Sequence, residues 1–298
     1  NISDSDFLYG IKFLVETNVI QFQPDTDYEK TKNIEKYILD WDTVVNDSKY
    51  AYDGSVKIQK KFFDSVNYTI DYNISDGFPY DSSEPTLLES GVWLYRITGH
   101  EQFLQNAAYI ANVIESHLHY SGIVTNVHPL TNIVKISEEH TNREILSDVA
   151  KLALVDSNYV QLTKTLADAV IEHEINHETE LFYSSVTLEG EPLDRSMDIS
   201  YGGALGLESL LLAYEVTSDT KYLDQVKRTI LAYWELRDKN TNLIPSKINA
   251  DTKSVKDPFM QQYGAGIFLK LLLHYYYLTE DPEIYKIIED YTDAVVNY

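Results

Sequence analysis

The chain contains no cysteine. Disulfides, thiolate catalysis and cysteine-ligated metals are therefore excluded. Basic residues are scarce: Lys plus Arg number 24 against 47 for Asp plus Glu, a net charge of -23. Nucleic acids and anionic membranes are held by basic surfaces, so neither is an expected partner. No apolar run approaches the roughly twenty residues that cross a bilayer, and the longest, within residues 267–278, is broken by Lys270 and His274. A phosphate loop, a dinucleotide fingerprint and a Gly-x-Ser-x-Gly elbow are all missing. No Pro/Gly/Ser-rich linker divides the chain, which predicts a single domain over residues 1–298.

What is present is tyrosine, 24 residues of it, within a normal 44% apolar composition. Tyrosine offers flat apolar faces with polar tips, which suits both helical cores and sugar platforms. The first residue is Asn1, and Asn-x-Ser/Thr sequons occur at Asn1, Asn46, Asn67 and Asn73. Together they point to a processed, extracytoplasmic protein.

A cassette of apolar helix, tight turn, amphipathic helix and polar hairpin recurs four times, anchored at Phe103, Tyr159, Tyr222 and Ile284, about sixty residues apart. The turns before the anchors read Thr98-Gly99-His100, Asp156-Ser157-Asn158, Thr217-Ser218-Asp219 and Glu280-Asp281-Pro282. Residues 201–216 and 263–278 are apolar almost all round, the pattern of buried helices. Residues 221–234 carry one apolar stripe, the pattern of a surface helix. Upstream, 85–97 and 143–154 read as inner helices, and 102–118 and 159–175 as outer ones. Residues 122–136, 181–199 and 243–259 read as hairpins. In the N-terminal stretch, 7–19 and 28–45 fit a further helix pair and 50–73 a longer β-hairpin. Two concentric layers follow. The expected fold is all-α, an (α/α) toroid of five to six helical hairpins with short β-hairpins between outer and inner helices, with an open solenoid as the alternative.

The stretch YGGALGLESLLLAYEVTSDTKYLDQ, continuing to QQYGAGIFLKLLLHYYYLTEDPE, resembles class I α-mannosidases of glycoside hydrolase family 47, the endoplasmic-reticulum degradation-enhancing type above all. It covers about the C-terminal third of the chain. Similar patterns occur in other sugar-active toroids, including uronic-acid epimerases and unsaturated glucuronyl hydrolases. The resemblance implies a toroid that acts on glycans, with Asp198 near the family's upstream acid. It departs after Gly264-Ala265-Gly266, where Ile267, Phe268, Leu269 and Lys270 stand in place of an acidic helix. No calcium-binding threonine is matched, so no cofactor or metal is expected.

In such a toroid the usable side chains lie on the hairpins and at the starts of inner helices, where the helix dipole favours anions. Four clusters fall there. They are Phe78, Tyr80, Asp81 and Glu84; His128 with Glu138, Glu139, His140 and Arg143; Asp194, Arg195, Asp198 and Tyr201; and Asp257, Gln261, Gln262 and Tyr263. Glycoside hydrolysis needs two facing carboxyl groups, one to protonate the leaving oxygen and one to activate water or attack carbon. The catalytic candidates are Asp198, Glu84, Glu139 and Asp257. The substrate-binding candidates are Tyr80, Arg143, Arg195, Tyr201, Gln262 and Tyr263. Against this, acids near helix starts are ordinary caps, and the arginines can pair with neighbouring acids.

The expected ligand is an oligosaccharide or polysaccharide. Hydrolysis is the leading reaction, with epimerase or lyase chemistry, or a non-catalytic glycan-binding or scaffold protein, as alternatives. A minor one is a zinc protease, because His173-Glu174-Ile175-Asn176-His177 matches H-E-x-x-H. The repeat puts that match at an outer-helix end, away from an enclosed cleft.

Overall fold

The computed structural model describes residues 87–99, 101–124, 126–127, 134–135, 141–259 and 262–297. The expected N-terminal helix pair, the 50–73 hairpin and the clusters around Glu84 and Glu139 lie outside the described residues. Contacts group the chain into two compact units. In the first, α1 (Leu87–Thr98) packs on α2 (Glu101–Ser116).

The second unit follows the cassette. A two-residue ladder, β1 (Asn126–Val127) with β2 (Val134–Lys135), precedes α3 (Thr141–Ala153). A 3-10 turn (Ser157–Tyr159) leads into α4 (Val160–Glu174). β3 (Ile175–Asn176) then pairs with β4 (Leu181–Phe182), and β5 (Ser185–Val186) with β6 (Pro192–Asp194). β7 (Ser196–Asp198) runs into a π-helical turn (Ile199–Gly203) and α5 (Ala204–Thr217), followed by α6 (Thr220–Glu235). β8 (Lys247–Asn249) and β9 (Val255–Asp257) precede α7 (Gln262–Thr279) and α8 (Pro282–Asn297). The strands β7, β8 and β9 form one antiparallel sheet in that order.

The two layers are visible in the packing. α5 contacts α3 on one side and α7 on the other, while α3, α5 and α7 each contact their own following helix, α4, α6 and α8. The reason is composition. α5 buries Ala204, Leu207, Leu210, Leu211 and Ala213 around its whole circumference, whereas α6 buries one face through Tyr222, Val226, Ile230 and Tyr233. Small residues permit the approach. A Cβ at Gly203 would strike Tyr233, and one at Gly206 would strike Arg143 and Phe182.

Three of the described turns between inner and outer helices share one device, the α3–α4 turn being the exception. Gly99, Ser218 and Glu280 take φ of 71°, 57° and 52°. Their N–H groups donate to Tyr95, Tyr214 and Tyr276 carbonyls at 2.8, 2.7 and 2.7 Å. This left-handed residue closes the helix by satisfying an orphan carbonyl. Asp219 and Asp281 then cap the next helices, accepting from the N–H groups of Lys221 and Glu283 at 3.2 and 2.9 Å.

One expectation is corrected. The sequence reads 263–278 as apolar all round, yet α7 leaves Leu273 49% and Tyr277 81% exposed. α5 has an inner neighbour on each side, while α7 has α5 on one side among the described residues. Apolar composition alone does not provide the second neighbour.

Candidate functional site

The sheet β7–β8–β9 joins the starts of two adjacent inner helices. Its register opposes Met197 to Ile248 and Asp198 to Lys247 on one side, and Ile248 to Val255 and Lys247 to Asp257 on the other. Met197 and Ile248 are fully buried. Side chains alternate along a strand, so the row Asp198–Lys247–Asp257 belongs to the opposite face. Two of the four catalytic candidates, 59 positions apart in sequence, thus share one row with a lysine between them.

A bulge makes this row. Two residues of β9 advance while one of β8 does, so Lys256 is left over and Asp257 comes opposite Lys247. Without the bulge Lys256 would face Lys247, a like-charge pair that destabilises a ladder. The shift also turns Asp257 away from the face that Val255 shares with Ile248. Ile199 N–H donates to the Ser246 carbonyl at 2.8 Å, extending the ladder to the π turn and fixing Asp198 at the entrance of α5. Asp257 Oδ1 accepts from the Phe259 N–H at 3.0 Å, which fixes the chain's exit from β9 toward α7.

Arg195 precedes the other end of β7. Its guanidinium pairs with Asp251 in the β8–β9 turn. Asp251 also accepts from Asn176 Nδ2 at 2.9 Å and Tyr183 Oη at 3.1 Å. These donors, Arg195 foremost, hold the Asp251 carboxyl below its ordinary range. Arg195 keeps 57% of its side chain exposed. It stands about 10 Å from Asp198 along the strand, at the far end of the sheet from the acid–lysine row.

Arg143 has a different setting from the open substrate clamp expected of it. It sits in the first turn of α3, is 1% exposed, and donates from Nη1 to Glu174 Oε2 at 2.6 Å. Further bonds run from Nη1 to the Tyr183 carbonyl at 3.0 Å and from Nη2 to the Ser184 carbonyl at 3.2 Å. The guanidinium lies over the Phe182 ring, 5.1 Å from its centroid. Burial pushes the Glu174 carboxyl up, and Arg143 works against that shift. The site of Arg143 is a core ion pair, enclosed by hairpin backbone.

The same pair explains the H-E-x-x-H match. α4 ends at Glu174, and Ile175 turns extended with φ -110° and ψ 129°. His177 lies beyond the helix, so the shared helical face required of two zinc-binding histidines does not form. The glutamate is a buried structural anion. Among the described residues there is no group of three His, Asp or Glu suited to a metal ion. The helical H-E-x-x-H geometry that the zinc-protease alternative needs is therefore not formed at residues 173–177.

Tyr201 lies in the π turn, and Gln262 and Tyr263 open α7, at the ends of the strands that carry Asp198 and Asp257. Tyr80, Glu84 and Glu139 lie outside the described residues. Lys247, Asp251 and Phe259 were missed in the sequence reading. No spacing rule selects Lys247 or Asp251, whose places depend on strand pairing. Phe259 carried a signal, since an exposed-loop phenylalanine directly after Asp257-Pro258 has no core to enter.

No protein-family model and no curated protein matches the chain. Solved structures do. A cellobiose 2-epimerase from Bacillus thermoamylovorans aligns at 15% identity over 71% of this chain and 58% of its own, with a TM-score of 0.57. A D-mannose isomerase aligns at 14% identity over 84% of this chain and 71% of its own, with a TM-score of 0.58. An inactive α-1,6-mannanase variant from Salegentibacter, in complex with α-1,6-mannotriose, aligns at 12% identity over 70% and 60%, with a TM-score of 0.50. The chain spans 58% of the epimerase's length. These neighbours are (α/α)-toroid sugar-active enzymes, and this chain shares their fold. The finer likeness to class I α-mannosidases rests on sequence motifs alone.

Proposed function

We propose that the protein binds a glycan over the β7–β8–β9 row and acts on it with Asp198 and Asp257 as an acid–base pair. The observation that carries this reading is the register that aligns both carboxylates across Lys247. Adjacent strands lie about 4.8 Å apart, so the two acids stand roughly 10 Å apart at the backbone. That is compatible with the separation of about 6.5–9.5 Å at which one water fits between an acid and a sugar in inverting hydrolysis. In that reaction one carboxylic acid gives its proton to the leaving glycosidic oxygen as the C–O bond breaks. The other carboxylate takes a proton from the water whose oxygen bonds to the anomeric carbon. The Lys247 ammonium between them offers three hydrogen-bond donors, which suits the positioning of sugar hydroxyls. The carbohydrate-active fold neighbours support the substrate class.

A second reading, a glycan-binding protein without turnover, is favoured by Phe268. The position after Gly264-Ala265-Gly266 holds a fully buried ring against Tyr291 and Tyr233, with centroids 5.4 and 6.4 Å away. The helix that would carry an acid in the resembled mannosidases is core at this point.

Incubation with cellobiose, D-mannose and α-1,6-mannotriose, followed by chromatography and mass spectrometry, separates the readings. Hydrolysis yields smaller sugars, and epimerisation yields an isomer of equal mass. Under the first reading a product forms, and Asp198→Asn and Asp257→Asn each lower its rate by about a hundredfold or more. Product formation unchanged in both variants would refute the acid–base pair.

A further inference from the structure

We infer that Phe259 is a stacking platform for the apolar face of a pyranose ring, beside the Asp198–Lys247–Asp257 row. The inference rests on the glycan-binding reading above and narrows its ligand to a sugar that presents an unsubstituted C–H face.

Exposure is the first observation. Phe103, Phe182 and Phe268 are each 0% exposed, whereas Phe259 is 80% exposed. Exposed aromatics elsewhere, Tyr120 at 86% and Tyr277 at 81%, are tyrosines. Their hydroxyl tips are satisfied by water, while a phenylalanine ring has no polar atom to gain from it. Leaving that ring in water forgoes about 2 kcal/mol of burial, so its exposure calls for an occupant.

The second observation is fixation. Proline restricts its own backbone φ, and Asp257 Oδ1 accepts from the Phe259 N–H at 3.0 Å across Pro258. The backbone that carries the ring is thereby held two residues beyond the Asp257 end of the row, before α7 begins at Gln262. A ring with no hydrogen-bonding atom offers only dispersion and C–H contact with its π face. A pyranose meets that condition on its axial C–H side while directing its hydroxyls outward, toward groups such as Lys247 and Asp257. A neutral hexose unit therefore fits better here than a flexible or planar charged ligand.

Saturation-transfer NMR with cellobiose and with α-1,6-mannotriose tests this without requiring turnover. The wild type should saturate the C–H protons of at least one of these sugars. Phe259→Ala should weaken that binding about tenfold, Phe259→Tyr should retain it, and Tyr277→Ala should leave it unchanged. If neither sugar is saturated by the wild type, the glycan-binding reading fails and the platform with it. If the wild type binds and Phe259→Ala binds equally well, the platform alone fails. Light scattering supplies the remaining arm. A drop in assembled mass on Phe259→Ala with sugar binding intact would assign the ring to an interface between copies and overturn the inference.

Discussion

Arg143 is the largest of the fully buried side chains among the described residues, and its charge is tolerable because both Nη atoms are answered. Glu174 supplies the counter-charge, two hairpin carbonyls accept further hydrogen bonds, and Phe182 supplies a π face. Breaking one member of a buried pair leaves the other as an uncompensated ion, at a cost of about 3–5 kcal/mol. Glu174→Ala should lower the urea-unfolding free energy by that amount, and EDTA should leave the wild-type midpoint unchanged. A neutral Glu174→Ala, or a midpoint that falls with EDTA and recovers with zinc, would return the H-E-x-x-H segment to metal chemistry. The sequence offered both readings of Arg143, a clamp for a ligand carboxylate or a partner for protein acids. Only the end of α4 at Glu174 decides between them, because the partner is 31 residues away in sequence.

At the scale of elements, the inner-layer seam between α5 and α7 carries a charge clasp. His274 shares Nδ1 with Glu208 at 3.1 Å and Nε2 with Glu215 at 3.4 Å, and Lys270 reaches Glu208 at 3.2 Å. Burial opposes the imidazolium, but the two glutamates override it and push His274 up to about 9. Burial likewise opposes ionised Glu208, yet His274 and Lys270 draw it down to about 2. The histidine contribution is complete below its unfolded value of 6.5 and is lost as pH rises through about 9. The glutamate contribution is complete above 4.5 and is lost as pH falls through about 2. These describe one shared interaction, worth on the order of 2 kcal/mol. His274→Gln should therefore destabilise most between about pH 4.5 and 6.5, and the gap to wild type should shrink as pH approaches 9 and beyond. Thermal unfolding across pH checks this, and a constant gap would contradict it.

Element order was readable because each turn carries its own chemistry: Asp219 and Asp281 cap, and Gly99 is free to take positive φ. Ser218 and Glu280 in the same left-handed position were not readable from residue type. Nor was the pairing of β7 with β8, since strands of three residues carry too little pattern to name a partner some fifty positions away.

For the whole molecule, the repeat set the expectation of stacked helical hairpins, and the likeness to sugar-active toroids agrees with it. The repeat also indicated that acids at inner-helix starts occupy equivalent positions. It could not say which of them meet. Asp198 and Asp257 come into one row because a bulge at Lys256 rotates β9, a feature that depends on the three-dimensional ladder rather than on composition. The measurement that bears most directly on the proposed site is a crystal structure of the Asp257→Asn protein soaked with the sugar it binds. The account predicts the sugar lying across the β7–β8–β9 row, with residues 198 and 257 on either side of it and their side chains about 6–10 Å apart. A sugar bound away from that sheet, or a row closed to ligand by packed side chains, would contradict it.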